Sequence, residues 1–75
     1  MFSTHDDLTT AELQLLESQR KVVAQIKIID ELRRRDQSTR IAEKFLSRLQ
    51  DALTLHRGER DAISARLFTE NRLTA

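Results

Sequence analysis

The chain has 75 residues, with 13 lysines and arginines against 12 aspartates and glutamates, two histidines and a formal net charge of +1. It contains no cysteine, proline, tryptophan or tyrosine and a single glycine, and 33% of its residues are charged. That composition excludes disulfides and thiolate metal sites, resembles long surface-rich helices rather than a sheet, and leaves one small domain that needs a partner to bury enough surface.

The opening MFSTHDDLTT has neither the basic nor the apolar region of a signal peptide, and no apolar run approaches the roughly 20 residues that span a bilayer. A cytoplasmic protein without a membrane segment is expected, with residues 1–9 as a mobile tail. Thr9 followed by Glu12 fits a capping box, so the first helix is expected over about 10–35. Within it Leu8, Leu15, Val22 and Ile29 recur every seventh residue, Glu12, Gln19, Ile26 and Arg33 fill the alternate positions, and Leu16 and Val23 widen the stripe. This is the apolar face of a helix packed on other helices.

RRRDQSTR, residues 33–40, interrupts the pattern, and Ser38 is its best N-cap. The second helix is expected over about 38–70, with 71–75 frayed. Its stripe takes Ala42, Leu49, His56 and Ile63, then Phe45, Ala52 and Glu59, flanked by Leu46, Leu53, Arg60 and Leu67. A connection this short makes the helices antiparallel. The expected fold is all-α: a coiled-coil-like two-helix hairpin over residues 10–70 that dimerises into a four-helix bundle. Its core and interface are assigned to Leu15, Leu16, Gln19, Val22, Val23, Ile26 and Ile29, facing Phe45, Leu46, Leu49, Leu53, His56, Arg60 and Ile63. Pairing outward from the loop puts Ile29 against Phe45, Gln19 against His56 and Glu12 against Ile63.

LTLHRGERDAI, residues 53–63, is the stretch that most invites a chemical reading. An imidazole and an amide in one layer can satisfy each other, and a polar layer in a helical seam sets register and partner geometry; Gly58 falls on the outer face. A metal site would need three convergent ligands, and His56 has only Glu59 one turn away, so no metal or cofactor is expected. There is no second histidine in the seam, no cysteine and no glycine-rich anion cradle, which argues against an enzyme. His56, Arg57 and Gly58 resemble the phosphorylated segment of histidine-phosphotransfer domains, a lesser alternative that requires the ring to face solvent.

Charge supplies a further lead. Arg33, Arg34, Arg35, Arg40, Lys44 and Arg48 make the loop end basic, as an electrostatic grip on nucleic acid would require, although Asp30, Glu31 and Glu43 lie among them and no aromatic is interleaved to stack on bases. Val22 to Ile63 also resembles a group of short helical proteins of unknown function common in alphaproteobacteria. The matching positions are Gln25, Ile28, Ile29, Leu32, Thr39, Ala42, Leu46, Leu49, Leu53, His56, Arg60 and Asp61. The resemblance implies a helical hairpin and no activity, and the chain departs from it at Gly58 and at the turn, where Asp36 stands in place of a usual glycine. The expected role is a non-enzymatic protein–protein interaction module, a small adaptor or regulator working through apolar helix faces, as a homodimer or with another protein. Ile28, Leu32 and Leu55 offer a second apolar strip. A nucleic-acid-binding dimer is the alternative.

Overall fold

The computed structural model describes the backbone of residues 4–74 and the side chains of residues 5–71. Two helices, α1 (Thr4–Arg34) and α2 (Arg40–Thr74), run antiparallel as a hairpin about 60 Å long. Both helices are longer than the sequence periodicity indicates. Residues 4–9 belong to α1 instead of a tail: Asp6 and Asp7 occupy its first turn, where carboxylates complement the positive end of the helix dipole. The Thr9 hydroxyl donates to the His5 carbonyl at 3.1 Å, so it folds back on the helix instead of capping one. At the other end α2 continues through residues 71–74. Residues 1–3 and 75, parts of the expected tail and frayed end, lie outside the described residues.

The turn between the helices is closed by a left-handed residue. The Gln37 N–H donates to the Leu32 carbonyl at 2.9 Å and the Asp36 N–H to the Arg33 carbonyl at 3.1 Å, with Asp36 at φ 53°. This pair of bonds is the Schellman closure, which normally uses glycine because a Cβ is strained at positive φ. Aspartate is among the few residues that tolerate the conformation. Three residues after Asp36 the Thr39 carbonyl accepts from the Glu43 N–H at 2.8 Å, making Thr39 the backbone N-cap of α2. Ser38 sits one residue earlier than a cap, and its hydroxyl accepts from the Arg40 N–H at 3.4 Å.

Between the helices runs a narrow seam with four- and three-residue steps on both sides. On α1 it takes Ala11, Leu15, Ser18, Val22, Gln25 and Ile29, of which all but the half-buried Val22 are buried. On α2 it takes Ala42, Leu46, Leu49, Leu53, His56, Arg60, Ile63 and Leu67, all half-buried. Leu15 and Ile29 therefore lie where the periodicity puts them, as do six of the seven residues assigned to the α2 side. Leu16, Gln19, Val23, Ile26 and Phe45 do not: they are exposed on the hairpin, outside the contact between its helices. The α1 seam has chosen Ala11, Ser18 and Gln25 over Glu12, Gln19 and Ile26, one residue back and so about 100° around the helix. Small side chains let the two backbones approach, and no helix of this hairpin remains to cover the wider stripe.

Two positions are weaker than the fold allows. Gly58 lies inside α2, and a methyl group added there would meet nothing within 4 Å; Gly58→Ala is expected to stabilise the protein by about 1 kcal/mol by restoring helix propensity. Asp36→Gly relieves the left-handed strain and should add about 0.5–1 kcal/mol. Thermal melts followed by circular dichroism check both, and because the sites are far apart the double substitution should be additive.

Candidate functional site

Three features outside simple apolar packing could carry function: the polar groups within the seam, the basic loop end, and the helix faces left uncovered. Near the loop the seam contains a polar tie between the helices. Gln25, 7% exposed, donates its Nε2 to the Ala42 carbonyl at 3.0 Å. The bond reaches from α1 to the first turn of α2, so it fixes the axial offset of the helices close to the turn, and an amide buried there is satisfied rather than orphaned. Periodicity alone passed over Gln25 in favour of the more apolar Ile26.

Further from the loop the register brings Ala11 beside Ile63, where they line one cleft with Gln14 and Glu59. Two helical turns toward the loop from those residues, Ser18 of α1 is level with His56 of α2, in place of Gln19. The His56 side chain is 27% exposed, and its Nδ1 is enclosed without a hydrogen bond. Glu59 Oε2 lies 3.4 Å from Nδ1 without a hydrogen bond between them. Arg60, the other polar group on this side of the seam, turns its guanidinium to Asp61 at 2.7 Å. One nitrogen of the ring is thus enclosed by packing, while part of the ring remains open to solvent. Among the described residues no group of three or more histidine, aspartate or glutamate side chains is placed to hold a metal ion.

The basic end is partly neutralised. Arg33 reaches across the turn to Glu43 at 2.9 Å, while Glu31 takes both Arg35 at 3.0 Å and Arg34 at 3.6 Å. All are exposed, so each pair contributes little to stability, and the two carboxylates offset two of the six positive charges. Arg40, Lys44 and Arg48 have no carboxylate partner among the described residues and follow one another at four-residue spacing on α2. Asp30, expected to share in the neutralisation, lines a cleft with Arg33, Glu43, Ile26, Ile29 and Leu46.

The largest departure from an ordinary small domain is the apolar surface. Leu16, Val23 and Ile26 follow one flank of α1 and are 42%, 52% and 42% exposed. By helical periodicity this flank lies on the side of the seam that carries Glu43. Phe45 and Leu55 are exposed on α2 and Ile28 on α1. Leu32, placed with Ile28 and Leu55 in the second strip, is half-buried. No helix among the described residues is long and apolar enough to cross a membrane. No family model, curated protein or solved structure was found to match the chain.

His56 yields a direct check of the seam. Replacing an enclosed, unbonded nitrogen with carbon removes a desolvation penalty, so His56→Leu is expected to raise stability by about 1 kcal/mol. Urea denaturation measures it, and a comparable loss would mean that the imidazole makes a bond the leucine cannot replace.

Proposed function

We propose that the hairpin is a helical protein–protein interaction module without enzymatic activity, an adaptor or regulator, whose first partner is a second copy of itself in a four-helix bundle. The observation that carries this reading is the surface left open. The hairpin exposes 6088 Å², whereas a compact monomer of its 8.7 kDa mass exposes about 4700 Å². The excess, on the order of 1300 Å² on one chain, is more than the roughly 800 Å² per partner that a standard specific interface removes from water. Its radius of gyration is 17.3 Å against about 11 Å for a compact domain of this length. Exposed leucine, valine and isoleucine at helical spacing supply the apolar part of that surface. Kinship with the alphaproteobacterial hairpins belongs to the same proposal.

Size exclusion with light scattering tests it. The protein is expected to be a dimer at micromolar concentration. Val23→Asp should shift it to monomer while leaving much of the helix signal, because Val23 lies outside the seam. Leu49→Asp should abolish both, because it places a charge between the two helices. A well-folded wild-type monomer at that concentration overturns the self-association reading.

The unpartnered Arg40, Lys44 and Arg48 favour a second reading, a dimer that holds nucleic acid at its loop end. With Arg33, Arg34 and Arg35 already paired to carboxylates, the expected result is no salt-sensitive binding to RNA or DNA at micromolar concentration. Binding that weakens steeply with salt, and is lost when Arg40, Lys44 and Arg48 are changed to alanine, would put this reading first.

A further inference from the structure

The surface of α1 turned away from α2 carries a depression lined by Gln19, Arg20, Val23, Ala24 and Lys27. Four of these, Arg20, Val23, Ala24 and Lys27, stand at i, i+3, i+4 and i+7. Those are the four corners that receive one side chain from a facing helix in knobs-into-holes packing. Alanine at one corner leaves room for a branched aliphatic group, and no side chain of α2 can fill the space, because α2 lies against the Ala11, Leu15 and Ile29 side of the helix. One turn before the hole, Leu16 projects from the same flank, so a knob and a hole share one surface.

A two-fold axis crossing α1 between Gln19 and Arg20 matches them. It runs the two copies of α1 antiparallel and brings Leu16 of each level with the partner's Val23, at the mouth of the partner's hole. The same rotation brings Glu12 level with the partner's Lys27, and by symmetry does so twice. Both side chains are exposed, and neither has an ion-pair partner among the described residues. Competing arrangements are worse. An axis at Lys21 would match Leu16 to Ile26 but stack Glu12 on Asp30, and a parallel pairing would put Glu12 on Glu12 and Lys27 on Lys27; like charges at such positions destabilise. The α2 flank around Phe45 is a weaker candidate, since its carboxylate, Glu59, already lies beside His56.

We propose that a second copy of this chain docks antiparallel on α1 about an axis between Gln19 and Arg20, with Leu16 of each copy seated among Arg20, Val23, Ala24 and Lys27 of the other and Glu12 paired with the partner's Lys27. This rests on the self-association proposed above and specifies its face and register, with the two copies of α1 at the centre and the two copies of α2 outside, in place of a closed four-helix bundle.

Charge exchange and cross-linking test it on the intact chain. Glu12→Lys, and separately Lys27→Glu, each turn two attractions into two repulsions, so each should raise the dimer dissociation constant about tenfold at low salt. The double variant Glu12→Lys/Lys27→Glu should return it to near the wild-type value, a rescue that a folding defect would not show. Because the chain has no cysteine, single cysteines report on the register directly. Gln19→Cys lies beside the axis and should form an intermolecular disulfide under mild oxidation. Leu13→Cys should not, since the two copies of that residue are roughly 20 Å apart along the helices, beyond disulfide reach. A dimer in which the double variant stays as weak as the single ones, or in which Leu55→Cys cross-links and Gln19→Cys does not, overturns this face while leaving self-association standing. A protein that stays monomeric overturns both.

Discussion

Two helices that touch along one line can hide only what lies within that line, and the rest of this structure follows from that limit. Ala11, Leu15 and Ile29 are the only apolar side chains counted as buried among the described residues, and none is sealed from solvent completely. The hairpin needs close backbone approach to gain anything from so narrow a contact, which favours small or compact Ala11, Ser18 and Gln25 at alternate seam positions of α1 and leaves Val23 and Ile26 on its flank. What makes the hairpin fit together internally is therefore the same thing that leaves apolar side chains exposed externally.

The turn and Gln25 complement that seam. The left-handed Asp36 reverses the chain within a few residues, and the Gln25 amide bonded to the Ala42 carbonyl locks the offset of the helices nearby. A seam of branched aliphatic residues at regular spacing can slide by a turn at modest loss; one directional bond at a fixed level resists that. The Arg33–Glu43 pair spans the same end but is exposed, and adds orientation more than energy. Register is thus set at the loop and carried outward by helix regularity, which is why residues as distant as Ala11 and Ile63 meet in step.

The all-α hairpin and its antiparallel sense were legible in the sequence because apolar spacing and a short polar interruption are enough to specify them. The α2 seam was legible too: Leu46, Leu49, Leu53, His56, Arg60 and Ile63 offer no better alternative face. On α1 the choice lay between Ile26 and Gln25, and between Gln19 and Ser18. Apolar periodicity favours the first of each pair only if hydrophobicity alone decides. Side-chain size and one available carbonyl decided otherwise, and neither is visible without knowing how near the partner backbone comes. The helix start was misread for a related reason, since Thr9 can bond forward as a cap or back to His5, and sequence does not say which. Of the candidate functional features, the apolar flank was anticipated as part of an over-wide stripe, whereas the enclosed Nδ1 of His56 and the hole on α1 depend on rotations about the helix axes that composition does not encode.

The single turn at one end has a consequence for motion. The sequence separation of the α1–α2 contacts grows steadily with distance from the turn at Asp36, so pairing can form progressively from the loop outward, with little entropy lost at each step once the first turn is made. The same order in reverse governs opening. The arms are held by the Schellman bonds, Gln25 and Ile29 near the hinge, and by the imperfectly matched His56 layer midway, so the ends that carry Leu8 and Leu67 can part while the hinge stays closed. Amide protection should therefore grade along the rod. A binding partner that grips the open ends would act as a clasp, extending order to a region that the hairpin by itself holds only loosely.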